Sequence, residues 1–239
     1  MSLVITPDQR DRFSLEWVAG VRGKPGLNAD IANAAEATRE IADPMFEVLG
    51  TNMTSALCTH RAEGGILLTT AGADNDQAFL LPHQDTSMSI WNKTWSTTLE
   101  FEWECLMKTG SSIAALAYVI GMKSDRDEGV DDTDLCVFNF NTDDSDSNWG
   151  FIGEQNNAGQ VDTDTTIAVA ADTVYHLALK CGSNQIVKAY INGSYVGSQS
   201  FDVGVELLEP FMVVQALTGA AKELIVYGQK LSERYGIGA

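Results

Sequence analysis

This sequence predicts an all-β chain, two packed antiparallel sheets preceded by an N-terminal arm containing a short helix. Three observations predict it. From about Phe46 onward, apolar and polar residues alternate with period two between Gly, Asn, Asp and Ser punctuation, the pattern of half-buried strands separated by turns. The segment KAYINGSYVGS places Asn192-Gly193 between two alternating runs, and Asn-Gly supplies the positive φ angles of a type I′ hairpin. No internal repeat of fixed period is present, which sets aside propellers and solenoids.

Taken in order, residues 1–45 are expected to form the arm and residues 46–239 the sandwich. Pro7 and the run Asp8–Arg12 suit a helical turn, and Gly20, Gly23, Pro25 and Gly26 break any element there. Residues 28–42, NADIANAAEATREIA, are rich in helix formers, with Ile31, Ala34, Ala35, Thr38 and Ile41 spaced along one face. Asn28 or Asp30 can cap that helix and Asp43-Pro44 ends it. So short a helix must pack against its own domain or a neighbouring chain. Phe13, Leu15, Trp17, Ile31 and Ile41 are therefore the candidate partner-binding residues. Twelve strands follow, at 65–71, 78–81, 87–91, 97–107, 113–122, 135–141, 149–154, 174–181, 186–191, 195–201, 211–217 and 223–227. Their turn-separated spacing points to a sandwich of two large sheets.

Composition excludes several classes of function. The 239 residues carry 15 Lys+Arg against 33 Asp+Glu, a formal charge of −18, so the chain lacks the basic face that a nucleic-acid binder needs. With 44% hydrophobic residues it is a folded globular chain rather than an acidic disordered one. No apolar run is long enough for a membrane helix, and the opening MSLVITPDQRDRF lacks a secretory pattern, so synthesis in a cytoplasm with no membrane partner is expected. Cys58, Cys105, Cys136 and Cys181 are widely spaced and read as small buried hydrophobes. Residues 125–164 concentrate twelve carboxylates against the single Arg126.

The run from IGMKSDRDEGVDDTD through NTDDSDSNWGFIGEQ, AADTVYHLAL and KAYINGSYVG, followed by LEPFMVVQALTGAAKELIVYGQKL, resembles the concanavalin A-like, laminin-G-like jelly-roll domains over about residues 46–227. In detail it is most similar to uncharacterised jelly-roll proteins that tailed bacteriophages encode among their virion genes. The resemblance implies a jelly-roll sandwich and a place on a virion. Architecture alone does not assign activity, since this fold hosts lectins, glycosidases, adhesion modules and shell proteins.

Three constellations can carry chemistry. In LEFEWEC, alternation puts Glu100, Glu102 and Glu104 on one face of a strand, as the laminarinase type of glucanase places its acidic pair. Positions i and i+4 lie ~13 Å apart along a strand, whereas a retaining pair needs ~5–5.5 Å. The alternative is a strand whose Phe101, Trp103 and Cys105 face the core while its glutamates face outward. The second constellation is the acidic loops, where Asp132, Asp143, Asp144 and Asp146 are weak candidates for Ca²⁺, the one cofactor considered; hairpin tips also carry Asp simply as a turn residue. The third is Trp149 with Asn148, an aromatic platform and an amide suited to a sugar, although sandwich cores also bury tryptophan. His60, His83 and His176 are isolated, and no nucleophile elbow, phosphate loop or HExxH motif is present.

The resulting expectation is a non-enzymatic virion structural protein on the capsid exterior, a head decoration or cement protein. It would dock through its arm on the major capsid protein or another virion protein, as a homo-oligomer with a trimer among the options. Two alternatives stay open, a carbohydrate-binding receptor-recognition module of a tail fibre and a glycoside hydrolase of the laminarinase type.

Overall fold

The computed structural model describes residues 12–18, 26–27, 46–82, 93–94, 99–124, 134–155, 160–182, 184–200 and 207–235. In chain order its strands are β1 Arg12–Val18, β2 Gly26–Leu27, β3 Phe46–Leu49, β4 Cys58–His60, β5 Ile66–Thr69, β6 Gln77–Pro82, β7 Lys93–Thr94, β8 Leu99–Thr109 and β9 Leu116–Lys123. They continue with β10 Asp134–Asn141, β11 Asn148–Gln155, β12 Val161–Ala168, β13 Val174–Cys181, β14 Ile186–Ile191, β15 Ser194–Ser200, β16 Leu207–Ala216 and β17 Glu223–Tyr235. Ser55–Leu57 forms one 3-10 turn. The jelly-roll sandwich expected from the sequence is the architecture observed.

The first sheet runs β15-β14-β13-β8-β17-β5-β4, and the second β12-β11-β10-β9-β16-β6-β3-β2. Among the described residues, pairing is antiparallel except for the short parallel contact of β2 with β3. One edge of β17 lies wholly along β8, while its other edge is shared by β5 and then β1. A register shift between Val226 and Gly228 separates those two partners.

Between the sheets, Trp103, Leu177, Leu179 and Val226 of the first meet Tyr118, Phe138, Trp149 and Met212 of the second in one apolar core. The polar ends of its aromatics are tied to backbone: Tyr118 Oη donates to the Glu223 carbonyl at 2.8 Å, and Tyr175 Oη donates to the Ala168 carbonyl at 3.0 Å. All four cysteines are free and buried there, as their spacing suggested.

The outward faces of the two sheets differ. On the second sheet the outward parity is also apolar and buried: Leu49, Phe79, Leu81, Val119, Val137, Ile152, Phe211 and Val213 form a second cluster. Strands β6 and β9 are accordingly buried along their whole lengths, because QAFLLP and LAYVIGMK carry apolar residues at both parities. On the first sheet the outward parity carries glutamate, lysine and tyrosine in contact with solvent.

Two expectations concern the first 45 residues. Phe13, Leu15 and Trp17, expected on a docking arm, lie on β1, whose seven residues pair in register with Val18↔Gly228 through Arg12↔Arg234 of β17. The alternation in RFSLEWV is a strand pattern, and it joins this segment to the sandwich. The expected helix at 28–42, with Ile31 and Ile41, lies outside the described residues, as do Asp132 and the expected strand at 87–91.

Candidate functional site

The outward face of the first sheet is assembled by register. On β8 the side chains alternate, so Phe101, Trp103, Cys105 and Met107 enter the core while Glu100, Glu102 and Glu104 point outward. Strand β13 pairs with β8 so that Lys180 stands opposite Glu102 and Ala178 opposite Glu104. Strand β14 then sets Lys188 beside Lys180 and Tyr190 beside Ala178. On β15, Ser198 faces Lys188 and Tyr195 faces Tyr190, and on the far side β17 adds Ser232 and Lys230 opposite the two glutamates. Two cross-strand rows result: Ser198–Lys188–Lys180–Glu102–Ser232 and Tyr195–Tyr190–Ala178–Glu104–Lys230.

At one end of these rows lies a groove of about 310 Å³ lined by Glu100, Glu102, Lys180, Asn184, Lys188, Tyr190 and Ser232. Lys180 hydrogen-bonds Glu102 in an ion pair and also lies 5.5 Å above the Tyr190 ring. Lys188 is exposed and has no anionic partner among the described residues. Tyr190 and Tyr195 meet edge to face with centroids 5.9 Å apart, and Tyr195 is 57% exposed. His176 Nε2 stands 3.7 Å from Glu104 Oε2.

The charged groups of this face shift one another. Partial burial by itself would raise the Glu102 carboxyl, but hydrogen bonds from Lys180 and within the Glu102–Glu104 pair, with the Lys180 and Lys230 charges, leave it below its ordinary value. The Lys180 ammonium is correspondingly raised, first by its hydrogen bond to Glu102. A proton-donating glutamate needs the opposite shift. The three glutamates of LEFEWEC thus point outward, Glu102 paired with Lys180 and Glu104 beside His176.

A second concavity, of about 380 Å³, lies on the outward side of the other sheet between β11, β12 and the turn before β11, lined by Asn139, Asp146, Asn148, Gly150, Asp162 and Asp164. Burial, and then the neighbouring charges of Asp146, Asp164 and Asp144, raise the Asp162 carboxyl. Asn148 does reach this cleft, donating from Nδ2 to Asp164 at 3.1 and 3.2 Å. Trp149 does not serve as a sugar platform. It is fully buried, its ring 5.4 Å from Tyr175 and 6.1 Å from Tyr118, because residue 149 has the inward parity of its strand. The calcium candidates act as turn residues: Asn141 donates from Nδ2 to Asp144 at 2.6 Å and from its backbone N–H to Asp146 at 2.8 Å, and the Asp143 N–H donates to Asn141 Oδ1 at 3.0 Å. Among the described residues, no group of three or more His, Cys, Asp or Glu is arranged to hold a metal.

Sequence reasoning missed Tyr190 and Tyr195. Their signal was present, since an Asn-Gly hairpin brings positions close to its turn opposite one another on one face.

No family model and no curated protein matches this chain. Solved structures with the same sandwich are found. A protein of unknown function from Shewanella oneidensis is 12% identical with a TM-score of 0.58, covering 100% of this chain and 98% of that one. The family 7 alginate lyase A1-II′ is 15% identical at TM-score 0.55, over 77% of this chain and 86% of the lyase. The carbohydrate recognition domain of Emp47p is 10% identical at TM-score 0.54, over 82% and 90%. At such identities the likeness establishes the concanavalin-like jelly roll and no activity. Nothing in it singles out virion proteins.

Proposed function

We propose that this chain is a non-catalytic glycan-binding module that meets its ligand on the outward face of the first sheet. One observation carries the reading: Tyr190 stands with Lys180, Lys188, Glu102 and Asn184 around a groove, and exposed Tyr195 meets the Tyr190 ring edge to face. An aromatic face with a few convergent donors and acceptors is what a sugar ring requires, apolar C–H groups on one side and hydroxyls at the rim. Two of the similar folds carry carbohydrate in their names, as a lyase and as a recognition domain, which agrees with the ligand class.

The test is titration of the full chain with a panel of oligosaccharides, alongside Tyr195→Ala and Tyr190→Ala. The reading expects saturable binding that both variants weaken while far-ultraviolet circular dichroism stays unchanged. A panel without a single binder overturns it. A virion setting, with a capsid partner and a homo-oligomeric state, remains a proposal that rests on the sequence resemblance.

A further inference from the structure

We infer that Lys180 is a positioning residue of this face: anchored by Glu102, its ammonium fixes the Tyr190 ring, and through that ring Tyr195, in the attitude that receives the sugar. This role rests on the glycan-binding reading above and lies within the same site.

The geometry is a chain of contacts running from β8 through β13 and β14 to β15. Glu102 on β8 pairs with Lys180 on β13, whose Nζ lies 5.5 Å above the Tyr190 ring of β14. Tyr190 meets Tyr195 of β15 edge to face at 5.9 Å, and Tyr195 Oη donates to Ser198 Oγ at 2.9 Å. Register explains why the support comes from Lys180. The residue directly opposite Tyr190 is Ala178, whose methyl is too short to buttress a phenol ring. Lys180 is the diagonal neighbour on the same strand, at a separation that a long side chain spans. On the other flank a register shift between Ala189 and Tyr190 brings Tyr195 opposite Tyr190 and leaves Val196 packed against the core. A β-bulge re-aims a side chain in this way.

The energetics place the effect in binding rather than in folding. The Lys180 and Glu102 side chains are 46% and 32% exposed, and an ion pair or a cation–π contact at so open a site adds little to stability. The same contacts withdraw rotamer freedom from a lysine and a tyrosine before any ligand arrives. Side-chain ordering of that kind is a cost that association otherwise has to meet, so a ring already held binds more tightly than one that must be caught.

The experiment joins NMR of the free full chain, carrying carbon-13-labelled lysine, with calorimetric titration of cellohexaose, laminarihexaose, maltohexaose and hexaguluronate. The Lys180 ε-methylene resonance, assigned by its loss in Lys180→Met, should shift measurably in Tyr190→Leu and in Glu102→Gln. For a probe that binds, Lys180→Met should weaken affinity at least threefold. Lys180→Arg, which can still pair with Glu102 and lie on the ring, should stay within twofold of the parent. Far-ultraviolet circular dichroism and thermal unfolding of both should be nearly unchanged. In the Tyr190→Leu background, Lys180→Met should weaken binding no further, the non-additivity of residues that act through one another. A Lys180 resonance indifferent to Tyr190→Leu, or full affinity in Lys180→Met, overturns the positioning role and leaves the glycan reading standing. Equal losses in the two backgrounds show Lys180 acting on the sugar directly and overturn it as well. Binding of none of the probes overturns the glycan reading and, with it, the role of Lys180.

Discussion

Two fully buried tryptophans allow the core to be tested by difference. Trp103 Nε1 donates to Gln229 Oε1 at 3.0 Å, whereas Trp149 Nε1 is buried with no hydrogen-bond partner. Replacing either by Phe removes the same atoms and leaves a similar void, a part of the ~3–5 kcal/mol that complete truncation of such a side chain costs. The polar terms have opposite signs. In Trp149→Phe the unsatisfied N–H disappears, recovering about 1–3 kcal/mol, so the net change should be near zero. In Trp103→Phe the Gln229 carbonyl oxygen loses its donor beside an amide nitrogen that already lacks a partner, adding about 1–3 kcal/mol of loss. The two variants should therefore differ by about 2–6 kcal/mol, with Trp103→Phe the weaker. Urea unfolding followed by circular dichroism reads this as a midpoint difference of roughly 0.7–3 M at slopes of about 2–3 kcal/mol per molar. Equal midpoints, or a weaker Trp149→Phe, would refute the assignment of the two indoles. Loss of sugar binding in Trp149→Phe at unchanged stability would restore that ring as a platform.

Other perturbations separate the remaining claims. Asp162 is raised by burial and by Asp146, Asp164 and Asp144, so its protonated form favours the folded state and that stabilisation is lost as pH rises through its folded value. Asp162→Asn should consequently raise the melting temperature by about 1–2 °C at pH 7, with the gain vanishing at acidic pH; a lower melting temperature at pH 7 would contradict the crowding. For the Glu102–Lys180 pair, the lowered carboxyl contributes stability above its ordinary range and loses it as pH falls through its folded value. The raised ammonium contributes below its ordinary range and loses it as pH rises through its folded value. Glu102→Gln should remove about 0.5 kcal/mol between those limits and flatten both flanks of the stability profile, the pair being half open to solvent. At Gly121 an added Cβ would lie 2.3 Å from the Cys136 carbonyl oxygen and 2.7 Å from Val137 Cα, so Gly121→Ala should cost several kcal/mol and be recovered largely in the insoluble fraction. In the hairpin, Asn192 and Gly193 have φ of 52° and 79°, and Gly193→Val should cost about 1–2 kcal/mol by strain at that turn, measured by chemical denaturation.

The strands most legible in the sequence are those whose two faces meet different surroundings. LEFEWEC is half core and half solvent, so its alternation alone orients Trp103 inward and Glu102 outward. Strand β12, VDTDTTIA, escaped notice because its inward positions include Thr165 rather than a large apolar residue, and that hydroxyl is satisfied by donating to the Trp149 carbonyl at 2.6 Å. RFSLEWV alternates as cleanly as any strand in the body, and its neighbours in the sequence, not its own pattern, suggested a separate arm. Strands β6 and β9 had the complementary difficulty. Apolar residues at both parities announce burial on both faces without saying what the second face meets.

Local chemistry thus determined the class of fold, the Asn-Gly hairpin, the inward or outward parity of the chief strands and the surplus of negative charge, since each depends on residues within a few positions of one another. The arrangement of side chains on the outward face of the first sheet was decided by tertiary pairing. Lys180 meets Glu102 only because β13 docks beside β8 in one register, and a slip of a single residue would turn the same side chains to opposite faces. The same register withdrew Trp149 into the core and placed Tyr195 beside Tyr190 in the open. Parity is local, whereas adjacency across a sheet depends on segments far apart in the chain choosing one another as partners.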